Sequence, residues 1–150
     1  MKSFKFFSTM LVAFMFLSTA LMAQKIQMKT TTGTIFTYGS QQTLSTTDAS
    51  YHNIETVVLA ANTAGIVEVS VTGVNTVNGD AVTGAAIARF KKVAGTLTLG
   101  DTTNILATVV DTGLSGSTWD ISTSGNNIII RVKGKAATTV RWRCLVKQLQ

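Results

Sequence analysis

Along much of the chain apolar residues fall on every second position, the period of a strand with one buried face. In residues 66–72 (IVEVSVT), Val67, Val69 and Val71 share one side and Glu68 and Ser70 the other. In the closing stretch, residues 138–149, Val140, Trp142, Cys144 and Val146 share one side, so Arg141, Arg143 and Lys147 take the other. That basic stripe follows from the pleat, and charge along a strand also guards an exposed edge. Residues 85–93 (AAIARFKKV) read as a strand with Ala86, Ala88 and Phe90 on one face and Ile87, Arg89 and Lys91 on the other. Residues 55–60, 96–99, 104–110, 118–123 and 128–133 complete the strand series. Turn chemistry separates them at Asn78-Gly79-Asp80, Gly100-Asp101, Ser124-Gly125-Asn126 and around Gly134. About eight strands at spacings of roughly 8 to 12 residues predict an all-β chain, an antiparallel β-sandwich of jelly-roll-like form.

The beginning of the chain breaks this period. Lys2 and Lys5 precede an apolar run from Phe6 to Ala23 with scattered Ser and Thr, and Gln24 follows. A basic head, an apolar middle and a small residue before a polar start predict a helical signal peptide, cut after Ala23 or Ala20. The alternative is a retained membrane anchor, since the run approaches the roughly 20 residues that a span needs. Residues 24–29 and 34–38 read as two short strands, and residues 39–50 (GSQQTLSTTDAS) as a polar linker or extended arm without period. The expected organisation is 1–23 signal peptide or anchor, 24–45 N-terminal strands and linker, and 46–150 sandwich.

Composition sharpens the strand reading. Thr is about one residue in six and proline is absent, which suits pleated, half-buried surfaces and turns built from Gly, Asn, Asp and Ser. Without Lys2 and Lys5 the chain keeps 11 Lys and Arg against 7 Asp and Glu, a net of +4. That charge is small and scattered, so nucleic-acid binding is not expected.

Candidate chemistry is thin. The single His, His52, lies in polar text (ASYHN) and no G-x-S-x-G elbow is present; a solvated loop histidine is the default. Of the acids, Asp80, Asp101 and Asp111 sit at expected turns, while Glu68 and Asp120 point outward from strands. NGDAVTG and GDTTN each supply one Asp, short of a calcium loop. The lone Cys144 cannot form an internal disulfide and falls on the inward pattern, as a buried thiol. Trp119 shares a face with Ile121 and is expected buried rather than displayed as a sugar-stacking ring. No catalytic, cofactor or metal residue is assigned, and the expectation is that the chain is not an enzyme.

Several segments carry a resemblance: STTDAS at residues 45–50, then AGIVEVSVTGVNTVNGDAVTGAAIARFKKVAGTLTLG, then SGSTWDISTSGNNIIIRVKGKAATTVRWRCLV. An Arg-Phe-Lys strand, a Gly-Thr-Leu turn, a Trp-Asp strand, a Val-Arg-Val-x-Gly strand and a closing Val-x-Trp strand follow in that order. Over about two thirds of the chain this resembles a β domain of structural proteins from tailed bacteriophages and prophages, tail-fibre-like or minor virion proteins. The resemblance implies a virion surface, fibre or tail-associated module that forms homo-oligomers, trimers being common among fibres, beside other virion proteins. It carries over no site residues. The export-like N-terminus supports the alternative, a secreted or cell-surface adhesion module that binds a glycan. A secreted hydrolase built on His52 is the weakest reading.

Overall fold

The computed structural model describes residues 37–150; the expected signal peptide, the strand expected at 24–29 and residues 34–36 of the strand expected at 34–38 lie outside the described residues. Eight strands form in order: β1 (Thr37–Thr46), β2 (Tyr51–Val58), β3 (Thr63–Asn75), β4 (Ala81–Val93), β5 (Thr96–Val110), β6 (Thr118–Ser124), β7 (Asn127–Lys133) and β8 (Val140–Leu149), with one 3-10 turn at Thr112–Leu114. They make two sheets, β1-β8-β3-β4-β5 and β2-β7-β6, and every ladder between them is antiparallel. The all-β sandwich is therefore present. Its strands divide five and three, because β3, β4 and β5 follow one another as a meander in one sheet. This is not the even division that the jelly-roll-like expectation implies. No helix among the described residues is long and apolar enough to cross a membrane.

The alternation read in β3, β4 and β8 is realised. Val67, Val69 and Val71 are buried, as are Ala86, Ala88 and Phe90, and Val140, Trp142, Cys144 and Val146. The smaller sheet closes over them with Val57, Ile128, Ile130 and Val132. Trp142 is fully buried and lies opposite Gly73 of β3. A Cβ on Gly73 would come 2.6 Å from the Trp142 ring, so only glycine leaves room for it. The ring's Nε1 donates to Thr46 Oγ1 at 2.9 Å, which satisfies its one polar group inside the core.

Two elements differ from the pattern-based expectation. Residues 39–46, read as a linker or extended arm, belong to β1, which pairs residue for residue with β8 from Thr37↔Leu149 to Thr46↔Val140. The strand is an edge strand, so its polar Gln and Ser are tolerated; within residues 39–46, Leu44 and Thr46 reach the core. Residues 96–110, read as two strands around a Gly100-Asp101 turn, form the single strand β5. Phe90 pairs with Leu99 but Ala88 pairs with Thr102, so Gly100-Asp101 supplies an extra residue and forms a bulge. Two more register shifts follow, with Ala86 opposite Asn104, Ala85 opposite Leu106 and Thr83 opposite Val109. The true β4–β5 turn is Ala94-Gly95, where φ of 48° and 81° match the two-residue type I′ hairpin.

Candidate functional site

Residues considered for chemistry do not gather. His52 is not in a loop but in β2, half exposed, with Nε2 2.9 Å from Asp48 Oδ1. The Ser50 backbone N–H also donates to Asp48 Oδ1, at 2.7 Å. The His52 hydrogen bond, followed by that of Ser50, holds the Asp48 carboxyl below its ordinary value. This arrangement puts the carboxylate at the centre; a nucleophile relay needs the base to hold the nucleophile. Asp80 and Asp111 cap turns: Asp80 Oδ2 accepts from Asn78 Nδ2 at 2.7 Å, and Asp111 Oδ2 accepts the Ala81 N–H at 2.8 Å. Among the described residues no group of three His, Cys, Asp or Glu is placed to hold a metal.

Cys144 is the buried thiol that its alternation implies. Burial pushes its pKa up to about 12, with the nearby Glu55 carboxylate adding to the effect. Glu55 itself is a surprise, since it is buried on β2. Glu55 shares the inward face of β2 with Val57 and Leu59, and a register shift between Asn53 and Glu55 buries Ile54 beside it, out of step with that alternation. Its carboxylate accepts the Thr56 backbone N–H at 2.8 Å and the Ser40 hydroxyl. Asp120, outward as expected, grips Arg131 through two hydrogen bonds, Nε to Oδ1 at 2.9 Å and Nη2 to Oδ2 at 2.6 Å. Asp120 raises the Arg131 pKa, and the guanidinium lies 4.7 Å from the Tyr51 ring centre.

Three surfaces remain. On the outer face of the five-stranded sheet, an open groove of about 860 Å³ is lined by Gln41, Thr43, Thr72, Val74, Arg141 and Arg143, with the β3–β4 turn at one end. The basic stripe read from the closing strand thus faces solvent, and only Lys147 approaches an acid, Glu68 at 3.7 Å. At the far edge of the same sheet, every residue of β5 from Asp101 to Val109 is exposed. Ile105, Leu106 and Val109 are 55%, 52% and 57% exposed, so this edge presents apolar side chains to water. Between β5 and β6 lies a half-open cleft of about 270 Å³, lined by Thr102, Asn104, Thr108, Trp119 and Ile121 among others. Trp119 is buried, as its pattern implies, and packs beneath Gly84 of β4.

No protein family matches the chain, and no curated protein does. Among solved structures, partial likeness is found to phage tailspikes. The gp49 tailspike of Acinetobacter baumannii bacteriophage Fri1, a capsular polysaccharide depolymerase, aligns with a TM-score of 0.48 and 12% identity. The A. baumannii phage AM24 tailspike gives 0.41 and 10%, and the tailspike of Acinetobacter phage vB_ApiP_P1 gives 0.34 and 12%. The alignments cover 84%, 75% and 84% of this chain, but only 19%, 26% and 24% of those proteins. The chain thus spans about a quarter of their length or less, and no residue role is taken from them. One expectation is corrected: with a depolymerase among its structural neighbours, the chain is not assigned as lacking enzymatic activity.

Proposed function

We propose that this chain is a β-sandwich module of a phage or prophage-derived tail, carried on the virion as a surface, fibre or tail-associated part, and that it packs with copies of itself along β5. The observation that supports self-packing most strongly is β5. Natural edge strands are kept from pairing by Lys, Pro, short length or bulges. β5 is 15 residues long, its one charge is Asp101, and it carries no proline. Its bulges oppose a continuous extra ladder, so the packing runs through Ile105, Leu106 and Val109 rather than through backbone pairing. A second copy offers the same near-neutral apolar surface, as symmetric association requires. The virion placement rests on the sequence resemblance carried by the Arg-Phe-Lys, Trp-Asp and Val-x-Trp segments.

The test is light scattering on the full chain over a concentration series, beside the Leu106→Lys variant. Oligomers that dissociate on this substitution are expected; a monomer throughout overturns self-packing. Mass spectrometry of particles released after prophage induction tests the placement. The chain should co-purify with tail proteins, and recovery from cell surfaces alone contradicts it.

The outer groove favours a second reading, an adhesion module. Arg141 and Arg143 beside Gln41, Thr43 and Thr72 suit an acidic glycan, since guanidinium pairs with carboxylate in a planar fork. Binding of a uronic-acid polysaccharide that fails in Arg141→Ala/Arg143→Ala supports it, and equal binding by that variant removes it.

A further inference from the structure

Charge is distributed unevenly over the two faces of the sandwich. Residues directly opposite in a ladder share a face. Thr72 opposite Arg143, Ile66 opposite Arg89 and Ala64 opposite Lys91 therefore put the cations of β8 and β4 on one side of the five-stranded sheet, away from the core. Arg89, Lys91, Arg141, Arg143 and Lys147 are all exposed there. Residues 37–150 hold nine Lys and Arg and seven Asp and Glu, so the outward positions of β8, β3 and β4 take five of the nine cations and, in Glu68, one of the seven acids. Glu68 approaches Lys147 alone, at 3.7 Å, and among the described residues no acid pairs with the other four. The remaining four cations stand with six acids on the rest of the surface.

The five cations do not converge. Arg141 lies opposite Val74, Val74 lies opposite Ala81, and Lys91 is ten residues further along β4. The charges therefore spread over roughly 33 Å, at about 3.3 Å per residue. A single small anion cannot meet them, but a partner with repeated negative charges over a broad surface can. Aliphatic side chains lie between the cations: Leu145 is 46% exposed and Val74 38%, with Ile66 and Ile87 half-buried. The outward positions of these three strands carry no aromatic ring, the group on which bases stack. Cations interleaved with aliphatic side chains suit the boundary between charged headgroups and acyl chains. The apolar run from Phe6 to Ala23, expected as a signal peptide or an anchor, leads a chain to a bilayer under either expectation.

We propose that the outer face of the five-stranded sheet docks on an anionic lipid bilayer, with Arg89, Lys91, Arg141, Arg143 and Lys147 meeting headgroup phosphates and Leu145 and Val74 entering the interface. This goes beyond the self-packing edge and beyond the groove at Arg141 and Arg143, since it extends across β3 to Arg89 and Lys91.

The test is co-sedimentation of the full chain with vesicles of phosphatidylcholine alone and of phosphatidylcholine with an equal part of phosphatidylglycerol, at low and high salt. Residues 1–36 are common to every variant, so their contribution cancels between variants. Tighter binding to the phosphatidylglycerol vesicles is expected, with that preference lost at high salt. Arg89→Gln and Lys91→Gln, both outside the groove, should each weaken it about fivefold. Lys133→Gln removes the same charge from the smaller sheet and should leave it unchanged. Leu145→Ser should weaken vesicle binding while leaving any binding of soluble polyglutamate as it was. Equal affinity for the two vesicle types overturns the proposal, as does equal weakening by Arg89→Gln and Lys133→Gln. Polyglutamate bound as tightly as the anionic vesicles, with Leu145→Ser without effect on either, also overturns it and assigns the face to an acidic polymer.

Discussion

The two lateral halves of the sandwich are built from the same residue types to opposite ends. On the β1–β8–β3 side, Trp142 lies on Gly73, is fully buried and donates to Thr46, and the edge strand β1 is short of large apolar side chains. On the β5–β6 side, Trp119 lies on Gly84, but its N–H has no partner among the described residues, and the edge strand exposes Ile105, Leu106 and Val109. In the first half the buried indole has its partner within the chain. The second has both a spare donor and spare apolar surface, which is how a region awaiting something from outside differs from a region that is only structural.

The largest expected effect separates the halves by stability. Trp142→Ala should cost on the order of 3 to 5 kcal/mol in denaturant unfolding, while Arg143→Ala, one residue away and exposed, should stay within about 0.5 kcal/mol. Equal losses would mean that the assigned faces of β8 are wrong.

Next is the pH dependence of the closed half. Burial raises the Cys144 pKa from 9.0 to about 12. The folded chain therefore holds its thiol proton where the unfolded chain gives it up. The stabilisation is complete below pH 9 and is lost between pH 9 and pH 12, by about 1.4 kcal/mol for each pH unit. Unfolding free energies of the wild type and Cys144→Ala should converge or cross over that window; parallel curves would refute the burial of the thiol.

Glycine substitutions sharpen the contrast further. Gly73→Ala forces a methyl against the Trp142 ring and should cost about 1 to 3 kcal/mol, since a packed core cannot yield. Gly84→Ala meets Trp119 at a similar distance, 2.7 Å, but that ring borders a cleft and can shift into it. Its cost should be under about 1 kcal/mol, with the Trp119 fluorescence changed. Costs in the reverse order would make the open half the rigid one. The smallest effect on stability is expected at the β5 surface, where Leu106→Lys should change unfolding by no more than about 0.5 kcal/mol while abolishing association.

In the closed half β3 and β8 were legible and β1 was not. Val67, Val69 and Val71, and Val140, Trp142, Cys144 and Val146, announce their burial by strict alternation, and the structure buries all of them. Trp119 was legible as buried for the same reason. What alternation misses is anything set by a distant partner or by an added residue. The text of β1 has no apolar period, because its place is fixed by pairing with β8, about 100 residues away. Bulges on β5 shift the period repeatedly, so one strand reads as two around Gly100-Asp101. A bulge at Asn53/Glu55 hides the burial of Ile54, which falls out of step with Glu55, Val57 and Leu59. The cleft depends on which sheet β6 joins, and the missing partner of the Trp119 N–H depends on side chains from β4 and β5; neither is encoded in local spacing.

The claim that the β5 side is completed by a second copy is tested most directly by amide hydrogen exchange of the full chain at low and high protein concentration. Slower exchange in residues 101–109 as concentration rises, with β1, β8 and β3 unchanged, is the expected result. Exchange in that segment that is independent of concentration, fast or slow, would contradict it.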